Sequence, residues 1–186
     1  MSKEIELKYS ATEAQLEALC AHFGDFGETR METTYYDTPQ RQLASAKITL
    51  RCRRENGKSI CAVKTPAAGL ARGEWEIADA DITHALPELC KLGAPKMLLN
   101  LPELTPVCGA RFTRLSRLLI LPDAHVELAL DRGVLIGGDK ELPFWEVELE
   151  LKSGSEESLI ALASSIAGDF SLTAQPLSKF ARARSL

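Results

Sequence analysis

Two segments of the chain place carboxylates at every second residue. Glu4 and Glu6 alternate with Ile5 and Leu7, and the run Glu146-Val147-Glu148-Leu149-Glu150 repeats the pattern. In a β-strand, alternate side chains share a face, so each run sets like charges about 7 Å apart. Their repulsion is weak in water but severe in an enclosed space. If the acidic faces are enclosed, they need a hard divalent cation, and carboxylate oxygens suit Mg²⁺ or Mn²⁺.

Basic residues cluster on other predicted strands. Arg51 and Arg53 share one face, and Asn56-Gly57 then signals a tight hairpin that leads to a strand ending at Lys64. Arg72 and Arg114 are further basic residues, and each lies on a later predicted strand. Guanidinium forks and lysine ammonium groups match phosphate oxygens. A metal beside a polyphosphate indicates phosphoryl transfer or hydrolysis, in which the metal polarises a phosphoryl oxygen or activates water.

These residues need a sheet to position them. Eight strands joined mostly by short turns favour an antiparallel sheet in an α+β fold, either closed into a β-barrel or strongly curved. If the polar strand faces line the lumen and helices cover the apolar outside, the barrel encloses both carboxylates and cations. The alternative is a sandwich whose charged face lies in water, which explains the alternation but explains less well why the charge signs segregate by strand. The predicted strands are Glu4–Tyr9, Thr33–Pro39, Ile48–Arg54, Ser59–Lys64, Arg72–Ile77, Ala110–Leu121, His125–Asp131 and Trp145–Leu151.

Helix signals lie between and after the strands. Thr12 and Ser155 each precede an apolar stripe and can cap a helix. A further helix is predicted within Asp79–Gly93, beginning near Pro87. The segment Ala94–Pro106 reads as a connecting loop with one helical turn at most, and Leu177–Leu186 as a short basic helix that carries Lys179.

Composition bounds the remaining possibilities. The 186 residues fit one domain, 1–186, and the net charge of -4 gives no reason to expect nucleic acid as a partner. The acidic strand begins within four residues of Met1 and no apolar run approaches membrane-spanning length, so we expect no signal peptide, no membrane contact and a cytoplasmic location. The five scattered cysteines predict free thiols. The oligomeric state stays open, with a homodimer as one option.

Taken together, these segments resemble the CYTH superfamily, the triphosphate tunnel metalloenzymes. The first strand looks like that family's Glu-x-Glu-x-Lys signature, and further matches follow in the family's order along essentially the whole chain. They are Tyr36-Asp37-Thr38-Pro39, Leu50-Arg51-Cys52-Arg53, Lys64, Arg72-x-Glu74, Phe112-x-Arg114, Glu127-x-x-x-Asp131, Glu146-x-Glu148-x-Glu150 and Ser178-Lys179. One departure is Ala183 after Arg182, where the family often has glycine.

The resemblance implies an eight-stranded antiparallel tunnel and assigns roles within it. Metal ligands would come from Glu4, Glu6, Glu74, Glu76, Asp131, Glu148 and Glu150. Triphosphate would be bound by Lys8, Arg51, Arg53, Lys64, Arg72, Arg114 and Lys179. Lys8, Glu148 and Glu150 would act in catalysis, and Tyr35 is the nearest match to a tyrosine proposed as a proton acceptor in short bacterial members.

The resemblance favours metal-dependent hydrolysis of inorganic triphosphate to diphosphate and phosphate, with Mg²⁺ or Mn²⁺ as the cofactor. Thiamine triphosphatase is one alternative, because it carries out the same chemistry on a triphosphate with an organic group. Class IV adenylate cyclase is another, because it also carries Glu-x-Glu-x-Lys. A non-catalytic module that binds polyphosphate or nucleotide is a further alternative.

Overall fold

The fold is built from eight long antiparallel strands and one very short one. The computed structural model describes residues 2–66 and 71–186. Strands β1 to β9 comprise Ser2–Ser10, Gly27–Asp37, Thr49–Glu55, Lys58–Thr65, Ala71–Ala78, Thr105–Ile120, Ala124–Gly137, Lys140–Gly154 and Thr173–Ala174. The predicted α+β antiparallel architecture is confirmed.

Strand pairing runs in a circuit. The order is β5-β4-β3-β2-β6-β7-β8-β1, with β9 added beside β1. Strand β1 divides its length between two partners, because Ser2–Ile5 pairs with β5 and Glu6–Ser10 pairs with β8. Following the paired strands from β5 therefore leads back to β5 through β1, and the inner faces of the strands point toward one another.

Outside this circuit, the apolar strand faces are covered by helices. Helices α1 to α5 comprise Glu13–Phe23, Gln42–Ser45, Ile82–Lys91, Glu156–Asp169 and Lys179–Arg184, and Lys96–Asn100 forms a 3₁₀-helix. Leu19 of α1 and Leu159 of α4 pack in one buried cluster with Leu128 and Leu149 from the sheet. Leu89 of α3 packs in a second cluster, which Trp75 borders from β5. The prediction that helices cover an apolar outer face is confirmed.

The predicted helix caps explain where two helices begin. The Thr12 side chain accepts from the Gln15 amide at 3.3 Å, and the Gln15 side chain accepts from the Thr12 amide at 2.8 Å, which completes a capping box. Ser155 caps α4 through the Ser158 amide. Among the described residues, no helix combines the length and the apolar character needed to cross a membrane.

The structure corrects several predicted element boundaries. Helix α3 begins at Ile82, not near Pro87, because the Asp81 side chain accepts from the amides of Thr83 and His84 and caps the helix there. Strand β2 begins at Gly27, six residues before the predicted start. Strands β6 and β8 each begin five residues before their predicted starts, and β7 ends six residues after its predicted end, because the ladders β2–β6, β6–β7 and β7–β8 extend the pairing. Helix α2 was not predicted, and the amides of Leu43 and Ala44 within it donate to a buried aspartate, Asp37.

The prediction of free thiols is wrong for two of the five cysteines. Cys52 and Cys61 form a disulfide, with their Cα atoms 4.1 Å apart. The hairpin register makes them direct cross-strand partners, and side chains at such a position lie close together. Cys20, Cys90 and Cys108 are free. Part of the predicted loop Pro66–Gly69 lies outside the described residues.

Candidate functional site

The inner strand faces line a charged cavity of about 410 Å³. It brings together almost all the predicted site residues, from seven strands and from α5. Those that line it are Glu4, Glu6, Lys8, Tyr35, Arg51, Arg53, Lys64, Glu74, Glu76, Arg114, Glu148, Glu150 and Lys179. The alternation read from the sequence is responsible, because each acidic or basic run turns one complete face inward.

Two predicted residues stand apart from this lining. Asp131 lies behind it, fully buried, and accepts from Arg114 at 2.7 Å and lies 2.8 Å from the Lys179 ammonium. The side chain of Arg72 lies outside the described part of the structure; its backbone pairs with Glu4. Asp131 is therefore placed to orient two cations of the cavity.

The cations and carboxylates of the cavity pair with one another. Lys64 Nζ lies 2.5 Å from Glu4 and 3.4 Å from Glu74, and Glu74 also lies 3.3 Å from Arg51. Lys8 lies 3.5 Å from Glu6. These pairs are largely shielded from solvent, so their attraction is screened less than that of surface pairs.

Three buried polar atoms in this cavity have no hydrogen-bond partner among the described residues. They are the Nε atoms of Arg51 and Arg53 and the Oε2 atom of Glu4. A buried donor or acceptor left without a partner costs about 1–3 kcal/mol. Burial, together with the neighbouring Arg51, lowers the pKa of Arg53, whereas its contact with Glu55 acts in the opposite direction. Each of these three side chains contacts an opposite charge through its other atoms, Arg51 at Glu74, Arg53 at Glu55 and Glu4 at Lys64. The cavity thus presents two guanidinium Nε donors and one carboxylate oxygen that no described residue satisfies.

A second acidic group lies deeper in the protein and consists of Asp131, Glu146 and Glu148. One carboxylate oxygen of each residue lies within 4.8 Å of one oxygen of each of the other two. Cations already occupy it: Lys179 contacts all three carboxylates, Arg114 contacts Asp131 and Glu148, and Arg182 contacts Glu146. Burial raises the pKa of Lys179's partner Glu146 to about 7. Although burial alone would raise the pKa of Glu148, Lys179 and Arg114 hold it well below its usual range.

Tyr35 lines the cavity and packs against α5. Its ring centroid is 5.1 Å from that of Phe180, and the side chain is almost fully buried. Burial raises the pKa of the Tyr35 hydroxyl, with Arg51 acting in the opposite direction. The hydroxyl therefore retains its proton at neutral pH, and its predicted role as a proton acceptor stays a prediction.

Several lining residues were not predicted. Thr29 was missed because β2 begins earlier than the sequence suggests. Lys152 continues the alternation of Glu148 and Glu150 by one step, a signal that was available, and its Nζ lies 2.8 Å from Glu150 and 3.3 Å from Glu127. Arg182 does not line the cavity but contacts the buried Glu146. The sequence predicted it only as part of a basic helix, and this contact depends on where α5 docks.

Comparison with known proteins gives a consistent result. The model of the CYTH domain family matches residues 2–182. The inorganic triphosphatase of Haemophilus influenzae is 33% identical over 132 residues, which are 68% of this chain and 37% of that protein. The chain thus spans little more than a third of the length of this curated relative.

Solved structures share the fold at lower sequence identity. A candidate adenylyl cyclase from Hippeastrum, described as having a dominant triphosphatase activity, superposes with a TM-score of 0.70 at 20% identity over 100% of this chain and 96% of that chain. A Pyrococcus horikoshii protein superposes with a TM-score of 0.63 at 20% identity over 96% of this chain and 97% of that chain. At such identities these structures speak to the fold alone.

Proposed function

The chain belongs to the CYTH domain family, and we propose that it hydrolyses inorganic triphosphate to diphosphate and phosphate with Mg²⁺ or Mn²⁺ as cofactor. One observation carries the proposal: the same cavity leaves buried guanidinium donors of Arg51 and Arg53 and a buried oxygen of Glu4 without partners. A polyphosphate with its divalent cation would satisfy both kinds of group. The curated relative named above supports the choice of substrate.

The triphosphate would contact the basic wall of the cavity. Arg51 and Arg53 come from β3 and Lys64 from β4, all facing inward. Lys8, Arg114 and Lys179 face them across the cavity. Arg114 and Lys179 are held in place by Asp131 and Glu148, so they are oriented before the substrate binds. Such preorganised charge stabilises negative charge that develops on the phosphoryl oxygens.

Glu4, Glu6 and Glu150 are the residues that best fit a divalent cation. Glu6 and Glu150 are direct cross-strand neighbours, and Glu4 lies two residues from Glu6 on the same face. Glu4 also has the unpartnered oxygen, and its charge, with that of Glu127, helps raise the pKa of Glu150 after burial. Glu74 and Glu76 lie on the neighbouring strand and would support the site. When bound, the cation supplies a Lewis acid for a phosphoryl oxygen and activates water.

Glu148 and Asp131 have a different role in this proposal. Their oxygens accept from Arg114 and contact Lys179, so a metal at this position would have to displace two buried cations. The two carboxylates are better described as positioning residues for the cations that bind phosphate. Lys8 adjoins Glu148 across the β1–β8 ladder and contacts Glu6, so it can bind phosphate beside the proposed metal ligands.

The test is phosphate release from tripolyphosphate, thiamine triphosphate and ATP, each with Mg²⁺, with Mn²⁺ and with chelator. We expect metal-dependent release that is fastest from tripolyphosphate, and no cyclic AMP from ATP. Binding of tripolyphosphate without turnover would instead place the protein among non-catalytic modules.

Adjacent arginines provide a matched control. Arg53 faces the cavity with a side chain 16% exposed, whereas the Arg54 side chain faces outward and is 66% exposed. We expect Arg53→Gln to lower kcat/KM for tripolyphosphate by about 100-fold, in the range of lost charge-assisted contacts, and Arg54→Gln to change it by less than about twofold. Equal effects of the two substitutions would show that the inward face of β3 does not bind the substrate.

A further inference from the structure

A second recess adjoins the charged cavity, and its lining is basic and hydroxyl-rich. We call it the basic recess; its volume is about 840 Å³. Its polar side chains belong to Arg41, Ser45, Lys47, Thr49, Lys64, Thr65, Ser178, Arg184 and Ser185. No carboxylate is among the described residues that line it, although the whole chain has a net charge of -4. The charged cavity differs in this respect, because it mixes both signs.

The recess and the cavity are contiguous. Thr49, Lys64, Ser178 and Phe180 line both. An anion that leaves the cavity past Lys64 therefore enters a space in which it meets further cations. The same route would accommodate the end of an anion too long for the cavity.

Two cations of the recess are available to a ligand. Arg184 is paired with Asp37 at 3.0 Å, and Lys64 is paired with Glu4. Arg41 and Lys47 instead have no carboxylate within 4.0 Å among the described residues, and both are exposed. They flank α2 and hold left-handed backbone conformations, with φ of 59° and 56°. Glycine would adopt this conformation with less strain, so the chain places cationic side chains here at a conformational cost.

We propose that the basic recess is a second anion site, which binds a phosphoanhydride anion through Arg41 and Lys47. The proposal rests on the function proposed above, since that reaction generates such anions in the adjoining cavity. Two sources share this chemistry: the diphosphate product, and the distal phosphoryl groups of a chain longer than triphosphate. Cations and hydroxyl groups together suit phosphate oxygens, which accept from both.

The test compares two double variants that remove the same charge. Arg41→Gln with Lys47→Met removes the free cations of the recess. Arg30→Gln with Lys140→Met removes two exposed cations elsewhere on the surface. Sodium diphosphate binding is measured by calorimetry without divalent metal, and diphosphate inhibition of tripolyphosphate hydrolysis is measured with metal. Hydrolysis of tetrapolyphosphate is compared with that of tripolyphosphate.

We expect the recess variant to weaken diphosphate binding and inhibition by about three- to tenfold, the size expected for two partly exposed charge contacts. The kcat for tripolyphosphate should not change. If the recess binds the end of a longer chain, the ratio of kcat/KM for tetrapolyphosphate to that for tripolyphosphate falls as well; if it binds product alone, the ratio is unchanged.

The proposal is overturned if neither diphosphate affinity nor the tetrapolyphosphate ratio differs between the two double variants. Failure of the proposed hydrolysis is a separate result, seen as absent phosphate release in the unmodified protein. The calorimetric comparison would still decide whether the recess binds diphosphate.

Discussion

Lys64 belongs to both the proposed metal site and the proposed triphosphate site. Its ammonium group lies 2.5 Å from Glu4, which we propose holds the metal, and it also lines the basic wall proposed to bind triphosphate. Lys64 therefore neutralises a carboxylate that a metal would otherwise bind. An incoming phosphate would attract Lys64 and expose Glu4, so the binding of triphosphate and of metal should favour each other.

Lys64→Met should separate these effects. We expect Mn²⁺ alone to bind about tenfold more tightly, because its competitor is lost, and tripolyphosphate to bind about tenfold more weakly, both within the usual range of coupling between sites. Calorimetric titration with each ligand measures this, with Lys140→Met as the control. Unchanged Mn²⁺ affinity would show that Lys64 does not compete for Glu4.

Tyr35 offers a second test at the residue scale. Because burial raises the pKa of its hydroxyl, the group is a poor proton acceptor at neutral pH. We expect Tyr35→Phe to lower kcat less than about tenfold, below the usual contribution of a general base, and to leave the pH–rate profile unchanged. A larger loss, or the disappearance of one limb of the profile, would identify Tyr35 as the proton acceptor.

At the scale of the element, α5 illustrates how a short helix is held by charge as much as by packing. Ala183 is fully buried in a cluster inside the sheet with Phe112 and Phe144. Lys179 and Arg182 reach the same buried carboxylate, Glu146. Six residues form too few turns to be stable in isolation, so docking must stabilise the helix.

Arg182→Met should therefore destabilise the protein. Glu146 is fully buried and would lose one of two cations, and breaking a buried pair costs up to about 3–5 kcal/mol; we expect about 1–3 kcal/mol because Lys179 remains. Urea unfolding measures the change. The double variant with Glu146→Gln should recover part of it, whereas strict additivity would show that the two side chains are not coupled.

At the scale of the whole molecule, the net charge gives no indication of how the charged residues are distributed. The chain carries -4 overall, yet its inner face gathers cations and carboxylates in nearly alternating contact. The stability of such an interior must depend on pH, since buried groups titrate differently in the folded and unfolded states.

Between pH 4.5 and about 7, Glu146 makes the folded protein less stable as the pH rises. Its pKa is raised from 4.5 to about 7, chiefly by burial, so the folded protein binds this proton more tightly than the unfolded chain. This contribution to stability is complete below pH 4.5 and is lost as the pH rises to about 7. Glu148, whose pKa is lowered, contributes oppositely, but only as the pH falls below its ordinary range.

We therefore expect Glu146→Gln to flatten the decline in the free energy of unfolding between pH 4.5 and 7, by an amount on the order of 1–3 kcal/mol. Urea titrations at pH 5 and pH 7.5 with chelator present compare the two proteins. Identical slopes would show that Glu146 is ionised throughout this range, held so by Lys179 and Arg182.

Local pattern alone predicted the eight long strands without all of their ends, two helix caps, and which charged residues share a strand face. That these faces point inward was what the family resemblance implied. Residues such as Glu4, Arg51 and Glu148 could be chosen from the sequence because side-chain alternation is a property of the single strand. Motif order along the chain then indicated the family and the metal-dependent chemistry that we propose.

Only the tertiary structure decided how these residues are paired. The Asp131, Glu146 and Glu148 group holds cations, and the Cys52–Cys61 disulfide depends on which strands become neighbours. Helix α2 depends on amides that donate to buried Asp37, and the docking of α5 brings Arg184 to the same carboxylate. These contacts join residues far apart in sequence, and their energies depend on burial and separation, which no local pattern encodes.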